Sequence, residues 1–275
     1  MSSEATGPIL QVEGLRKVYG ETVAVEDARF EVGGGGSLAI VGESGSGKTT
    51  VARMIVGLTK PTAGTIVACG RDRSTPARSA AERRRRGAEI QIVFQDPYSS
   101  LNPRQTAEQT LNEVLRLHAG GRSADERRER IATLGDLVGL DERVLRALPG
   151  ALSGGQRQRI AIARALTAEP RLIILDESVA ALDVSIQAQI LNLLSDIREE
   201  TGVSYILISH DLAVVRQLTQ DALVMRRGHV VERGPTQQIL DDPQDPYTQL
   251  LRASVPRRGW KPTRRERTPQ PQGAS

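Results

Sequence analysis

The sequence predicts an α/β fold: a mostly parallel β-sheet core with an N-terminal antiparallel β subdomain and an inserted helical subdomain. Three observations carry this prediction. Apolar strand segments alternate with helical segments along most of the 275 residues, which is typical of parallel sheets wrapped by helices. The first strands alternate with a period of two instead, as antiparallel strands do. Helical periodicity then dominates residues 104–148 and indicates an insertion between two halves of the core.

The elements follow in order along one domain, which we expect to cover residues 1–255, with the helical subdomain at about 96–151. The arginine-rich segment 71–87 is predicted to be exposed, and residues 256–275, rich in Pro, Arg, Gln and Gly, are predicted to form a disordered tail. Strands are predicted at 9–12, 28–32, 38–41, 65–70, 90–94, 172–175 and 205–208, and helices at 51–56, 107–117, 126–138, 186–200 and 212–218.

The most informative motif follows the strand at 38–41. Residues 42–49, Gly-Glu-Ser-Gly-Ser-Gly-Lys-Thr, have the phosphate-binding pattern G-x-x-x-x-G-K-[ST] between a strand and a helix. The glycines let backbone N–H groups converge on an anion, and the helix N-terminus adds partial positive charge. We therefore expect a P-loop (RecA-like) core. The residues predicted to contact nucleotide are Gly42, Ser44, Gly45, Ser46, Gly47, Lys48 and Thr49.

Within that loop, Lys48 is expected to reach the β- and γ-phosphates, and the Thr49 hydroxyl to bind Mg²⁺. The alternative is a glycine-rich turn that holds a lysine by chance. The chain has only four lysines among 37 basic Lys and Arg side chains. A lysine at the one position that the motif demands is therefore poorly explained by chance.

A second motif ends the predicted strand 172–175. Its four aliphatic residues indicate a buried strand, and Asp176 and Glu177 follow at its carboxyl end, where parallel sheets bind ligands. We expect Asp176 to belong to the Mg²⁺ shell and Glu177 to act as the general base for the attacking water. The alternative is that both acids merely cap the next helix.

The third motif is Leu152-Ser153-Gly154-Gly155-Gln156. With the two motifs above, it resembles the nucleotide-binding subunit of ABC transporters, over about residues 9–255. In that family this turn binds the γ-phosphate of an ATP held by the opposite subunit, so the resemblance implies that Ser153, Gly154, Gly155 and Gln156 contact ATP across a dimer. An ordinary helix cap is the alternative.

The resemblance also assigns roles to other positions. Tyr19 would stack on adenine, Thr50 would contact the α-phosphate, and His210 would touch the γ-phosphate. Gln95 would link Mg²⁺ and the attacking water to a transmembrane partner, and residues 181–183, Ala-Leu-Asp, would cross the dimer interface. The alternatives are a core aromatic for Tyr19, a polar strand end for Gln95 and a structural histidine for His210.

The chain departs from the family pattern at two positions. Ser178 stands where the family usually has proline, and Ala180 where it usually has serine. Ser178 frees the backbone φ angle and restores an N–H group, whereas Ala180 removes a hydroxyl from the predicted interface loop. We expect ATP hydrolysis to survive both changes.

A finer resemblance lies in residues 94–104 and 245–251, which are similar to the ATPases of dipeptide, oligopeptide and nickel importers. It implies ATP and Mg²⁺ as cofactors and a second ABC ATPase subunit, homologous or identical, as partner. It also implies two transmembrane permeases, an extracytoplasmic solute-binding protein, and a peripheral position on the cytoplasmic face of the cell membrane. For residues 245–251, a terminal amphipathic helix without specificity is the alternative.

Composition helps to judge the other possible functions of the chain. The net charge of +4 and the pI of about 9.6 favour anionic partners, but only one aromatic, Trp260, lies among the arginine runs, so nucleic acid is not expected. The single cysteine, Cys69, is expected to be a buried apolar side chain and excludes an internal disulfide. Three alternatives stay open: a soluble non-transport ABC ATPase acting on nucleic acid or ribosomes, the ATPase of an ABC exporter, and a small-molecule kinase.

Overall fold

The N-terminal part of the chain forms an antiparallel sheet of four strands, as predicted. The computed structural model describes residues 7–96, 100–118, 121–180 and 182–253. The strand order is β2-β1-β4-β5, and every pair in it is antiparallel. The strands are β1 Leu10–Tyr19, β2 Thr22–Val32, β4 Ala63–Ala68 and β5 Arg71–Asp72.

A second sheet of six strands forms the core, in the order β10-β9-β3-β8-β7-β6. Neighbours from β9 to β6 are parallel, and only β10 is antiparallel to its neighbour, so the mostly parallel core is confirmed. Strands β3, β7 and β8 are buried at every residue because both faces of the sheet are covered. Helices pack on one face, and the antiparallel sheet and the helix Lys48–Ile55 pack on the other. The bounds are β3 Ser37–Val41, β6 Ile90–Val93, β7 Leu172–Asp176, β8 Ser204–Ser209, β9 Asp221–Arg226 and β10 His229–Pro235.

Helices surround the core sheet and supply the insertion between β6 and β7. Leu111, Leu115 and Leu134 of the inserted helices are fully buried in the same apolar cluster as core-strand residues Ile173 and Leu207. The limits of the helical subdomain, about 96–151, stay a prediction. The helices are α1 Lys48–Ile55, α2 Ala80–Glu89, α3 Ala107–His118, α4 Ala124–Val138, α5 Glu142–Leu145, α6 Gly154–Leu166, α7 Val184–Thr201, α8 Leu212–Leu218, α9 Thr236–Asp241 and α10 Pro246–Ala253, with a 3-10 turn at Pro149–Ala151.

Segment 71–87 is mostly exposed, as predicted, but the prediction was incomplete in one respect and wrong in another. It missed helix α2, which has no buried residue and therefore no apolar stripe to reveal it; the helix begins where the Ser79 side chain accepts a hydrogen bond from the Glu82 backbone N–H at 3.1 Å. It also missed the burial of Arg73, whose guanidinium pairs with Glu89 and donates to the Arg86 carbonyl at 3.1 Å. Pairing makes the burial of this charge tolerable. Cys69 is half-buried rather than buried.

Some predictions fall on residues outside the described ranges, namely 97–99, Ala181 and the tail 256–275. Within the described ranges, no helix combines the length and apolar character that crossing a membrane requires.

Candidate functional site

The phosphate loop and the predicted residues Asp176, Glu177, His210 and Gln95 come together at the carboxyl edge of the parallel strands. The register pairs Val41 with Ser209, Ile208 with Asp176, and Leu175 with Val93. The residues that follow these strand ends are therefore neighbours along one edge of the sheet. Passing from β3 to β6, they are the phosphate loop, His210, the pair Asp176–Glu177, and Gln95.

The phosphate loop has a backbone that requires glycine at two points. Gly42 has a φ of 151° and Gly47 a φ of 107°, both in the region that L side chains rarely adopt. A Cβ on Gly42 would collide with the Met225 carbonyl, and a Cβ on Gly47 with the Ala24 carbonyl. The loop is therefore packed against the end of β9 on one side and against β2 on the other. Ser44 and Gly45 lie exposed at its tip.

Lys48 is the buried cation of the loop, with only 4% of its surface exposed. Its ammonium donates to the carbonyls of Gly42 and Glu43, each at 2.8 Å. Burial lowers the pKa of Lys48, and the nearby carboxylates of Glu177 and Asp176 oppose that shift. An ammonium has three donors, so one is left for an anion. The Ser46 hydroxyl beside it is buried without a hydrogen-bond partner, which also fits an anionic ligand.

Thr49 and Asp176 form the candidate Mg²⁺ site. The Thr49 hydroxyl donates to Asp176 Oδ1 at 3.3 Å, and Asp176 is buried. Burial raises the pKa of Asp176, while the hydrogen bond from Thr49 counteracts it. No cluster of three or more His, Cys, Asp or Glu able to hold a metal occurs in the part of the chain that the structure describes. Mg²⁺ usually takes one or two protein ligands and completes its shell with phosphate and water, so this pair fits it.

Glu177 is the carboxylate in the position expected of a general base. Its backbone has a φ of 48°, unusual for a residue with a side chain, and its N–H donates to the Ile208 carbonyl at 2.9 Å. Glu177 Oε1 lies 3.6 Å from His210 Nδ1. The His210 side chain is exposed and that of Glu177 half-buried, so water reaches both.

Three predicted contact residues are at least partly exposed. Gln95 is exposed directly after β6, and Thr50 is half-buried in the first turn of α1. Tyr19 is 49% exposed, with the Lys17 ammonium 4.7 Å from its ring centroid. The alternative of Tyr19 as a core aromatic is therefore wrong.

The turn at Ser153 begins helix α6 with a capping box. The Ser153 hydroxyl accepts from the Gln156 N–H at 3.2 Å, and the Gln156 side chain accepts from the Ser153 N–H at 2.9 Å. As an acceptor in this bond, the hydroxyl keeps its own proton for another partner. Ser153 is exposed, Gly154 is half-buried, and a Cβ on Gly155 would lie 2.8 Å from Ile186 Cγ2.

The single chain does not bring this turn and the phosphate loop together. In the described residues, neither Ser153 nor Gln156 is hydrogen-bonded to the loop. Gly154 and Gly155 pack on Leu182 and Ile186 instead. The exposed turn is thus free to meet a ligand held by another molecule.

The two departures from the family pattern lie beside Glu177. Ser178 is buried, and within the described part of the chain its hydroxyl has no hydrogen-bond partner. Ala180 is exposed, and its N–H donates to the Glu177 carbonyl at 3.1 Å. Among the described residues, the Ser178 hydroxyl therefore makes no hydrogen bond on which the geometry of the site would depend.

One residue at the site was missed by the sequence analysis. Tyr247 is only 4% exposed, and its hydroxyl accepts a hydrogen bond from the Glu43 backbone N–H at 3.0 Å. Its segment, 245–251, carried a family resemblance but no assigned role. The two partners are 204 positions apart, and no local pattern predicts such a contact.

Comparison with protein families gives two matches. The model described as ABC transporter matches residues 25–180. The model described as "Oligopeptide/dipeptide transporter, C-terminal region" matches residues 231–275. Described residues 7–24 and 182–230 lie outside both matches.

Curated relatives and a solved structure are also similar. The chain is 44% identical over 260 residues to the glutathione import ATP-binding protein GsiA of Salmonella choleraesuis, a match covering 90% of this chain but only 41% of that protein. It is 41% identical over 261 residues to the dipeptide transport ATP-binding protein DppF of Haemophilus influenzae, covering 91% of this chain and 79% of that protein. The ATP-binding cassette MJ0796, solved as a dimer in a post-hydrolysis state bound to ADP and Pi, matches with a TM-score of 0.74 and 30% identity over 82% of this chain and 98% of that chain.

Proposed function

The chain belongs to the ABC transporter family, and we propose that it binds and hydrolyses ATP to power an importer of peptides or of a related small solute such as nickel. The observation that carries the proposal is the state of Lys48. Its ammonium is buried in a glycine loop, where it donates to the Gly42 and Glu43 carbonyls. Burial lowers the pKa of Lys48 despite the nearby carboxylates of Glu177 and Asp176, so an anion bound in the loop would stabilise the charged ammonium.

ATP would bind with its phosphates in the loop. Lys48 would exchange a loop carbonyl for a phosphate oxygen, a charge-assisted bond that is stronger than the neutral one it replaces. The N–H groups at the start of α1 would point at the same anion. Thr49 and Asp176 would hold Mg²⁺, which when bound neutralises negative charge on the phosphate oxygens.

Glu177 would then take a proton from the attacking water. The water oxygen forms a bond to the γ-phosphorus while the bond from that phosphorus to the bridging oxygen of ADP breaks, and the proton of the water passes to the Glu177 carboxylate. His210, 3.6 Å from that carboxylate, would orient it and contact the γ-phosphate. Gln95, which follows the adjacent strand, would connect the site to a membrane partner.

The Ser153 turn would complete the site of a second subunit. Its exposed hydroxyl and the free N–H groups of Gly154 and Gly155 suit a γ-phosphate presented by another chain. ATP between two such chains favours a closed dimer, and hydrolysis removes contacts that hold it closed. The closed dimer is therefore more stable with ATP than with ADP, and this difference in stability would drive its closing and reopening.

The partners follow from this scheme: a second ABC ATPase subunit, homologous or identical, two transmembrane permeases and an extracytoplasmic solute-binding protein. The chain would lie peripherally on the cytoplasmic face of the membrane. The relatives named for glutathione import and dipeptide transport support an importer, as does the matched C-terminal region. The same observations weigh against an exporter ATPase and against an ABC ATPase acting on nucleic acid or ribosomes.

A comparison of two lysines tests the proposed chemistry. Lys48→Ala should lower phosphate release from ATP at least about 100-fold, because a donor aimed at the reacting phosphates is lost. Lys60→Ala, which removes an exposed lysine, should leave the rate unchanged. Hydrolysis by Lys48→Ala at the wild-type rate would remove the phosphate loop from the mechanism.

A further inference from the structure

We propose that Tyr247 is a positioning residue for the phosphate loop, so that the C-terminal segment forms part of the nucleotide site. Tyr247 lies in the first turn of α10, far from the loop in sequence. The inference rests on the proposed function, because it concerns how the same loop receives ATP.

The Tyr247 hydroxyl restrains Glu43 in the phosphate loop. The Glu43 backbone N–H donates to the Tyr247 hydroxyl at 3.0 Å, and the Glu43 carbonyl accepts from the Lys48 ammonium at 2.8 Å. The C-terminal helix thus holds Glu43 through its N–H, and Lys48 of the phosphate loop holds it through its carbonyl. Both bonds restrict the backbone of the loop on either side of the Glu43 Cα.

Tyr247 is itself held firmly. The Arg226 guanidinium lies 4.8 Å from the centroid of the Tyr247 ring. The Tyr247 backbone N–H donates to Asp245 Oδ1 at 2.8 Å. The Glu232 carboxylate accepts from the N–H groups of Gln244 and Asp245 at 2.7 and 3.2 Å. Since Arg226 ends β9 and Glu232 lies in β10, the tyrosine is anchored to two strands of the core sheet.

The turn between those strands also contacts the loop. The Gly228 N–H donates to the Ser46 carbonyl at 3.0 Å, and the Met225 carbonyl lies so close to Gly42 that no Cβ would fit. The hairpin therefore supports the loop near its middle and at its start, and Tyr247 holds the residue after that start. The C-terminal contacts form one continuous support.

Nucleotide binding makes the tyrosine contact matter most. If Lys48 turns from the loop carbonyls to a phosphate, Glu43 loses that restraint and keeps two others: the bond from its N–H to Tyr247 and the bond from the Ser46 N–H to its carbonyl. Without the bond to Tyr247 the loop has more freedom to lose on binding, and affinity falls because pre-organisation is lost. The chemical step, which depends on Glu177 and Asp176, should change little.

Two neighbouring hydroxyls allow a matched test in the full-length chain. Tyr247→Phe removes the hydroxyl and keeps the ring over Arg226. Thr248→Val removes the next hydroxyl along α10, which is equally buried but has no hydrogen-bond partner among the described residues. The measurements are kcat and KM for ATP hydrolysis, and the Kd for ADP in a direct binding assay.

Tyr247→Phe should raise both the KM for ATP and the Kd for ADP about fivefold, as expected for the loss of one hydrogen bond. Its kcat should stay within about twofold of wild type. Thr248→Val should leave all three constants unchanged. The inference would be overturned if Tyr247→Phe had the KM and Kd of the wild type, or if both variants shifted these constants equally. Failure of the wild-type chain to hydrolyse ATP would instead refute the proposed function, while ADP binding would still compare the two variants.

Discussion

At the scale of single residues, the site depends on charged groups that the fold holds out of water. Burial lowers the pKa of Lys48 and raises that of Asp176, so each group is held where its charged form is less stable than in solvent. The two lie at the same edge of the sheet, and their opposite charges partly compensate one another. Bound ATP would place negative phosphate charge beside Lys48, and Mg²⁺ would place positive charge beside Asp176. The proposed ligand is therefore an anion that carries a metal ion.

Glu177 is the residue whose replacement separates binding from hydrolysis. Glu177→Gln keeps the size and the hydrogen-bonding capacity of the side chain but cannot accept the proton of the attacking water. We expect phosphate release to fall by at least about 100-fold, within the range that a general base contributes. ATP should still bind and should accumulate in a closed dimer, detectable as an ATP-dependent doubling of mass in solution.

The matched control for that change is Glu43→Gln. Glu43 is an exposed acid of the phosphate loop whose backbone, rather than its carboxylate, makes the loop contacts. This variant should hydrolyse ATP at the wild-type rate. If Glu177→Gln also turned over ATP as fast as wild type, another group would have to be the base.

At the scale of elements, two helices with the same type of N-terminus allow the proposed interface to be tested. Helices α4 and α6 both begin with a capping box, Ser123 with Glu126 and Ser153 with Gln156. Ser123→Ala and Ser153→Ala should each reduce the free energy of unfolding by about 1 kcal/mol, as loss of a cap does. Only Ser153→Ala should also slow ATP hydrolysis, because only that hydroxyl is expected to meet a nucleotide.

Denaturant unfolding and phosphate release, measured on both variants, decide between the two roles of Ser153. Equal losses of stability with unequal losses of hydrolysis support a role in ATP binding. Equal effects on both properties would mean that the Ser153 turn is only a helix cap.

Elements with an apolar pattern could be predicted from the sequence, and those without one could not. Strand β7 is buried on both faces and reads as an unbroken aliphatic run. Helix α2 buries none of its residues, and it is stabilised locally by the Ser79 cap and by an ion pair between Arg86 and Glu82. Neither interaction produces hydrophobic periodicity, so the sequence predicts the exposure of this segment but not its helix.

At the scale of the whole molecule, the sequence predicted the edge of the sheet where the site lies but not how its loop is supported. Residues after strand ends gather at one edge in any parallel sheet, which is why Lys48, Asp176, Glu177 and His210 could be assigned to one site. The contact from Tyr247 to Glu43 depends on the final packing of α10 against the core. Packing of that kind leaves no local pattern in the chain.

The whole-molecule claim is that one ATP is bound by the Lys48 loop of one subunit and the Ser153 turn of another. Trans-complementation tests it most directly, with phosphate release measured on Lys48→Ala, on Ser153→Arg and on an equal mixture of the two, at a concentration where the wild-type chain hydrolyses ATP. Half of the dimers in the mixture are mixed and each has one intact site, so we predict recovery of about a quarter of the wild-type rate from two inactive variants. A mixture no more active than the separate variants would contradict the account.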